Sequence, residues 1–448
     1  MNIKKSFYFT ALMLALPNVI QQLVTNLSQM VDNLMVGRLQ EVAIAGVSIS
    51  NQVFFIFTTM LLGLAATGGI FIAQYKGAKN EEKITEVFRV VILFSFLVGV
   101  VFFLLMHFIP DKVFGIFAKD SATIESAISY VKYIKYTFLI YPISIAVGSS
   151  YRFIGLVKTP MYVSIVSVIA NVIFNYLLIY GNFGFPALGV PGAALATLIA
   201  RVIEFVILVY LTRHIKSPIV IHLKKTFQFE LYILKDYLNK GYGLIGNEFF
   251  WAFGMQLIIV LYTNRISENI AAMSIATVMT NMIFIGMGGM SVAISIIVGN
   301  SLGQGEFEQA KKDSKKLLRL CAGVGLSLGV SILFMSYFMT MLYDISPDTL
   351  KMSRLVIVVA TCFSWLYYLN AGHFFILRAG GDTKSVLIMD SGFVWLITIP
   401  FAFFIGKLGI YLPLHYLIVQ FADLLKLAVA RYRYQKGTWL NNLTIQSE

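Results

Sequence analysis

NIAAMSIATVMTNMIFIGMGGMSVAISIIVGNSLGQG, residues 269–305, runs for 37 positions without an aspartate, glutamate, lysine or arginine. A bilayer core about 30 Å thick is crossed by about 20 apolar helical residues, because only a hydrogen-bonded helix satisfies its own backbone there. This run is long enough to cross with turns to spare. Ser6–Val31, Val42–Tyr75, Val90–Pro110, Leu320–Tyr343 and Leu355–Leu377 are equally free of those four residues. With 58% hydrophobic and 13% charged residues, the 448-residue chain cannot build a water-soluble surface. It reads as an all-α polytopic membrane protein.

Twelve helices are expected, near 8–35, 44–75, 88–110, 127–150, 160–181, 189–212, 241–263, 271–300, 318–342, 353–376, 386–405 and 411–431. The charge-free run Thr159–Ala200 is too long for one helix, and its GNFGFPALGVPG cluster reads as a tight turn between helices five and six. The start, MNIKKSFYFTALMLALPNVI, imitates a secretory signal. Its apolar run continues past signal length without a clear small-residue cleavage site, so it reads as the first membrane helix. Cys321 and Cys362 sit inside apolar stretches and read as packing residues rather than a disulfide.

The formal charge of +13 would suggest nucleic acid in a soluble protein, but here its placement carries the meaning. Alternate loops hold about 25 lysines and arginines against nine, with Arg201 left inside helix six. The rich side includes Lys4, Lys5, the KGAKNEEK loop, the 213–240 linker, KKDSKK, Arg378 and the terminal RYRYQK; Arg38, Lys119 and Arg265 are among the poor. By the positive-inside rule the rich side is cytoplasmic, both termini lie there, and nucleic acid is not an expected partner.

The two halves resemble one another. RLQEVAIAGVSISN (38–51) lies over NRISENIAAMSIAT (264–277) at an offset of 226, and Gly63 meets Gly289 and Gly77 meets Gly303 at the same offset. Thr159 matches Thr383 at 224. An even six helices per half makes the repeat parallel, with a pseudo-two-fold axis along the membrane normal. Such repeats are a known plan for alternating access. The expected division is an N-terminal lobe at 1–212, a basic cytoplasmic linker at 213–240, and a C-terminal lobe with its tail at 241–448.

Several segments, in order, carry a resemblance: MVDNLMVGRL (30–39), QYKGAKN (74–80), NVIFNYLLIYGNFGFPALGVPGAALAT (171–197), IGNEFFW (245–251) and GNSLGQGE (299–306). Over essentially its whole length the chain resembles the multidrug and toxic compound extrusion (MATE) transporters. The resemblance implies a two-lobed twelve-helix fold and export of organic cations driven by protons or sodium. It also implies an ion site of Asp32 on helix one with Asn171, Asn175 and Thr197 on helices five and six, and an acid at Glu248. Some members carry an aspartate where Asn175 stands, and sodium-coupled members carry one in helix ten, where Leu355–Leu377 has none. Both departures favour protons over Na+.

Charged side chains inside apolar helices are costly unless paired or hydrated, so each is a functional candidate. Glu248 has no basic residue within helical reach on its own helix, and an unpaired carboxylate in that setting can exchange protons near neutral pH. Trp251 and Met255 follow it by one and two turns and could receive an aromatic cation, with Tyr367 among the polar residues of helix ten. Asn171 and Asn175, four apart, share a helix face, and two amide carbonyls with the Thr197 hydroxyl beside Asp32 suit a hard cation or a proton network. Arg201 with Glu204, and Asp423 with Lys426, read as self-neutralising i,i+3 pairs. Asp390 is unassigned.

No HExxH and no GxxxxGK[ST] occur, so neither an enzyme nor a self-contained ATPase is expected. The reading is a cell-membrane secondary antiporter of amphipathic organic cations, a monomer surrounded by lipid. It needs no cofactor and no ATPase subunit. The alternative is a flippase for a lipid-linked oligosaccharide, but a pyrophosphate headgroup favours arginines in the cavity, whereas the buried excess here is acidic.

Overall fold

The computed structural model describes residues 6–37, 41–118, 120–221, 228–263, 266–340 and 346–445. Lys4, Lys5, Arg38, Lys119, Arg265 and linker positions 222–227, used in the charge count, lie outside the described residues, as do the first residues of both repeat segments. Among the described residues the protein is helical with no strand.

Nine membrane helices are continuous among the described residues: helix one Phe7–Gly37, two Glu41–Gly77, three Glu81–Phe108, five Lys158–Tyr180, six Val190–His214, seven Leu231–Thr263, eight Ser267–Gly303, nine Phe307–Thr340 and ten Pro347–Ala379. Helix four is split into Ser121–Ile134 and Thr137–Phe153 at Lys135 and Tyr136. Helix eleven begins as Thr383–Leu387, widens into π turns over Ile388–Gly392 and Val394–Thr398, and ends as Ile399–Gly406. Helix twelve is Leu412–Gln420 and Ala422–Gln435. Eleven of these spans are long and apolar enough to cross a membrane, and the split helix four completes the expected twelve.

Several helices outrun their apolar stretches. Helix three begins at Glu81 rather than near 88, because the Asn80 side chain accepts from the Lys83 amide at 3.1 Å and Glu81 and Glu82 suit the positive end of the helix dipole. Helix nine begins at Phe307, its charged first turns tied by Lys311 to Glu308 at 2.7 Å. Hydropathy marks the part of a helix that faces lipid, and the helix itself continues into the polar boundary. Gly181, at φ 74°, ends helix five where the Gly/Pro cluster begins.

The chain divides into two compact units, one of Ile20–Ile72 with Asn80–Leu238, the other of Met1–Val19, Ala73–Lys79 and Asn239–Glu448. In the first, Phe57 packs edge-on against Phe138 at 4.7 Å between ring centres, and the Tyr237 hydroxyl donates to the Leu64 carbonyl at 2.9 Å. In the second, the C-terminal end of helix two crosses helix eight at small residues. A Cβ on Gly299 would stand 2.7 Å from that of Ala73. Small residues let membrane helices approach backbone to backbone. The tail folds onto the same place: Trp439 is buried and stacks on Tyr434 at 5.6 Å, and Gln74 donates to the Ala379 carbonyl at 2.8 Å while accepting from the Leu443 amide at 2.7 Å.

Candidate functional site

Helices one, five and six of the first unit bring Asp32, Asn171, Asn175 and Thr197 together. Asn171 and Asn175 are both buried on one face of helix five, as their spacing predicts. The Asn175 amide donates to Asp32 Oδ1 and, at 3.4 Å, to Asn171 Oδ1. Asn171 Nδ2 donates to the Thr197 hydroxyl at 3.3 Å, and that hydroxyl donates onward to the Ala193 carbonyl at 3.1 Å. Ser28, which the sequence reading missed, donates to Asn171 Oδ1 at 3.0 Å. Its one signal was its place a turn before Asp32 on helix one.

The cluster opens onto a cavity lined also by Phe54, Met106, Tyr130, Phe138 and Arg201. The Arg201 charge is committed. Its guanidinium meets Glu204 at 2.6 Å, the pair that the spacing predicts, and lies 4.2 Å over the Tyr141 ring. A hard cation such as sodium takes oxygen ligands. Here Asn171 Oδ1 already accepts twice, and the Thr197 hydroxyl is engaged. Asn175 Oδ1 is the one buried acceptor of the set without a partner among the described residues. With Asp32 it offers few free oxygens. The set fits a sodium ion poorly.

In the second unit Glu248 is not unpaired, which corrects the sequence reading. Arg378 Nη1 stands 3.2 Å from Glu248 Oε1. Helix ten runs on to Ala379, so Arg378 occupies its last turn, and its side chain turns back to helix seven instead of lying in a loop. Trp251 meets Phe284 edge-on at 6.4 Å, and Phe284 stacks on Tyr367 at 6.2 Å, so a helix-eight ring links two candidate residues. Met255 is partly buried against the core.

The polar residues of helix ten are committed to neighbouring helices. The Tyr367 hydroxyl donates to Gln420 Oε1 at 2.8 Å, Asn370 Nδ2 to the Asp423 carbonyl at 3.2 Å, and the Tyr368 hydroxyl to the Ile283 carbonyl at 2.8 Å. The first two hold helix twelve where it breaks after Gln420. Backbone groups freed by a break in lipid need such partners. Lys426 pairs with Asp390 at 2.5 Å, not with Asp423 as its i,i+3 spacing suggested. Asn247 donates to the other Asp390 oxygen at 3.1 Å and is itself held by the Ser391 hydroxyl at 2.8 Å. A partner 36 positions away leaves no trace in local spacing. No cluster of three or more metal-ligating His, Cys, Asp or Glu occurs among the described residues.

Comparison with known proteins places this arrangement. The MatE family profile matches residues 17–177 and 245–404, once in each half of the chain. The probable multidrug resistance protein YoeA of Bacillus subtilis is 25% identical over 405 residues, covering 89% of this chain and 87% of its own. The probable multidrug resistance protein NorM of Thermotoga maritima is 25% identical over 402 residues, covering 88% and 84%. An outward-facing conformation of a multidrug resistance MATE family transporter of the MOP superfamily shares the fold, with a TM-score of 0.86 at 20% identity and 96% of each chain covered. The chain belongs to the MatE family, the multidrug and toxic compound extrusion transporters, and is a multi-pass membrane transporter rather than an enzyme.

Proposed function

We propose that the protein exports amphipathic, often aromatic organic cations in exchange for protons, by alternating access, from the cytoplasmic side of the cell membrane. The observation that carries this reading is the Asp32 cluster of the first unit, a membrane-embedded carboxylate hydrogen-bonded to the Asn175 amide at the wall of a cavity. Glu248, followed one and two turns on by Trp251 and Met255, suits varied cations without demanding one shape. Relatives named as multidrug resistance proteins support the same substrate class.

In this reading Asp32, with Asn171, Asn175 and Thr197, exchanges the coupling proton. Glu248, with Trp251, Met255 and Tyr367, receives the cation in the other unit. The cationic side chains Arg201, Arg378 and Lys426 each face a carboxylate within 3.2 Å, which leaves them poorly placed to hold a pyrophosphate headgroup. That disfavours lipid-linked oligosaccharide flipping. The protein works as a monomer in lipid, without an ATPase subunit, and with cytoplasmic termini.

The test is ethidium accumulation in an efflux-deficient host. Cells with the protein in the membrane should accumulate less dye and tolerate more of it. Unchanged accumulation at verified membrane expression contradicts cation export.

A further inference from the structure

The Glu248–Arg378 contact is made in an unusual way for a buried ion pair. One guanidinium nitrogen meets one carboxylate oxygen, at 3.2 Å. The strong form of an arginine–carboxylate pair is a two-bond fork at shorter distance. The acid is also the more open partner, with its side chain 27% exposed against 13% for Arg378. A second carboxylate nearby, Asp390, is engaged by Lys426 at 2.5 Å and Asn247 at 3.1 Å. Glu248 is therefore held by a single, loosely fitted cation that belongs to the protein itself.

The repeat explains how that cation came to be there. Arg152 stands 226 positions before Arg378, and each is followed three residues on by a glycine of positive φ, Gly155 at 93° and Gly381 at 79°. The same helix-ending turn places both arginines. In the first half Arg152 Nη1 donates to the neutral amide of Gln21 at 3.2 Å. In the second half the neighbouring position of helix seven is an acid, Gln22 being the repeat mate of Glu248. The arginine is common to both halves, and the ion pair belongs to one.

We propose that Arg378 is a tethered counter-cation for Glu248, which a transported organic cation must displace to bind. This rests on the reading of Glu248 as the partner of the transported cation. Arg378 then acts as a specificity-determining residue. It fills the acid in the absence of substrate, and it rejects cations whose attraction to Glu248, Trp251 and Tyr367 is weaker than its own. Polar cations without an aromatic or apolar body fail that competition, because they bring only the charge that Arg378 already supplies.

The test is equilibrium binding of tetraphenylphosphonium, a permanently charged aromatic cation, to the purified full-length protein. Glu248→Gln should weaken binding. Arg378→Gln should tighten it about fivefold, the factor of one partly screened ion pair. The double variant should bind as Glu248→Gln alone, since the gain has no acid left to act on. Arg378→Met removes the charge while keeping an unbranched side chain, and should tighten binding to a similar extent; it carries the test if Arg378→Gln does not fold. Wild-type or weaker binding by whichever arginine variant is folded, with Glu248→Gln still weakened, overturns the counter-cation. No effect of Glu248→Gln overturns instead the reading on which it rests.

Discussion

Gly77 and Gly303 hold equivalent places on two crossing helices: a Cβ on Gly77 would lie 2.1 Å from the Asn300 carbonyl oxygen, and one on Gly303 1.8 Å from that of Gln74. Gln74 and Asn300 are themselves 226 apart, so the crossing repeats the symmetry of the sequence. Backbone cannot move aside as a side chain can. Gly303→Val should therefore lower stability by about 1–3 kcal/mol or more, the cost of overpacking a tight contact. Thermal unfolding in detergent, followed by tryptophan fluorescence, measures it. An unchanged midpoint means that the two helices do not cross there.

Lys426 and Asp390 are both largely withdrawn from solvent, at 9% and 16% side-chain exposure. Removing one partner of a buried pair leaves the other charge uncompensated, at a cost of about 3–5 kcal/mol, whereas replacing both is often neutral. Lys426→Met should destabilise strongly, and the Lys426→Met, Asp390→Asn double variant should recover most of the loss. If the double variant is no more stable than the single, the two side chains are not partners.

Asp382 sits between helices ten and eleven, outside the spans. Burial works against its charge, but hydrogen bonds from Ser385, Arg433 and Thr438 outweigh it and hold the carboxyl below the usual carboxylate range. Arg433 Nε donates at 3.0 Å and the Thr438 hydroxyl at 2.9 Å, tying the start of the tail to the end of helix ten. A carboxyl lowered on folding stabilises above its unfolded pKa, and that contribution is lost as pH falls through the folded value. Asp382→Asn should melt below wild type at pH 7, and the gap should close toward pH 3. A gap that is constant with pH assigns the loss to packing rather than charge.

On the proposed orientation, in which the loops carrying the basic excess are cytoplasmic, Gly184 and Lys216 lie on opposite faces of the membrane. In a background without Cys321 and Cys362, a cysteine at Gly184 should react with an impermeant maleimide added outside intact cells. One at Lys216 should react only after the cells are opened. Labelling of both from outside contradicts the assigned orientation.

Most of the fold was legible because the cost of an unsatisfied backbone in lipid writes itself into composition. The charge-free runs located the helices, and the Gly/Pro cluster after Tyr180 located the turn between five and six. The breaks were less visible. Lys135 and Tyr136 interrupt helix four, and the π turns around Asp390 and the stop at Phe421 arise from packing that no local pattern records. At the site, the family resemblance pointed to Asn171 and Asn175, and their spacing of four, about one helical turn, put both on one face. The partners of Glu248 and Lys426 were not legible in this way. Arg378 was counted as a loop charge, 130 positions from Glu248, and Asp390 was left unassigned. Spacing reports neighbours along one helix, and these pairs join two.

Transport into liposomes under an imposed pH gradient, without sodium, tests proton-coupled cation export most directly. Wild-type protein should move tetraphenylphosphonium against its gradient, driven by protons alone. Asp32→Asn should still bind the cation but fail to accumulate it, because the return step lacks its titrating group. Glu248→Gln should bind it weakly, with a flattened pH dependence, for the same chemical reason at the other site. Uphill transport that requires a sodium gradient, or wild-type rates from both variants, would contradict proton exchange at Asp32 and cation binding at Glu248.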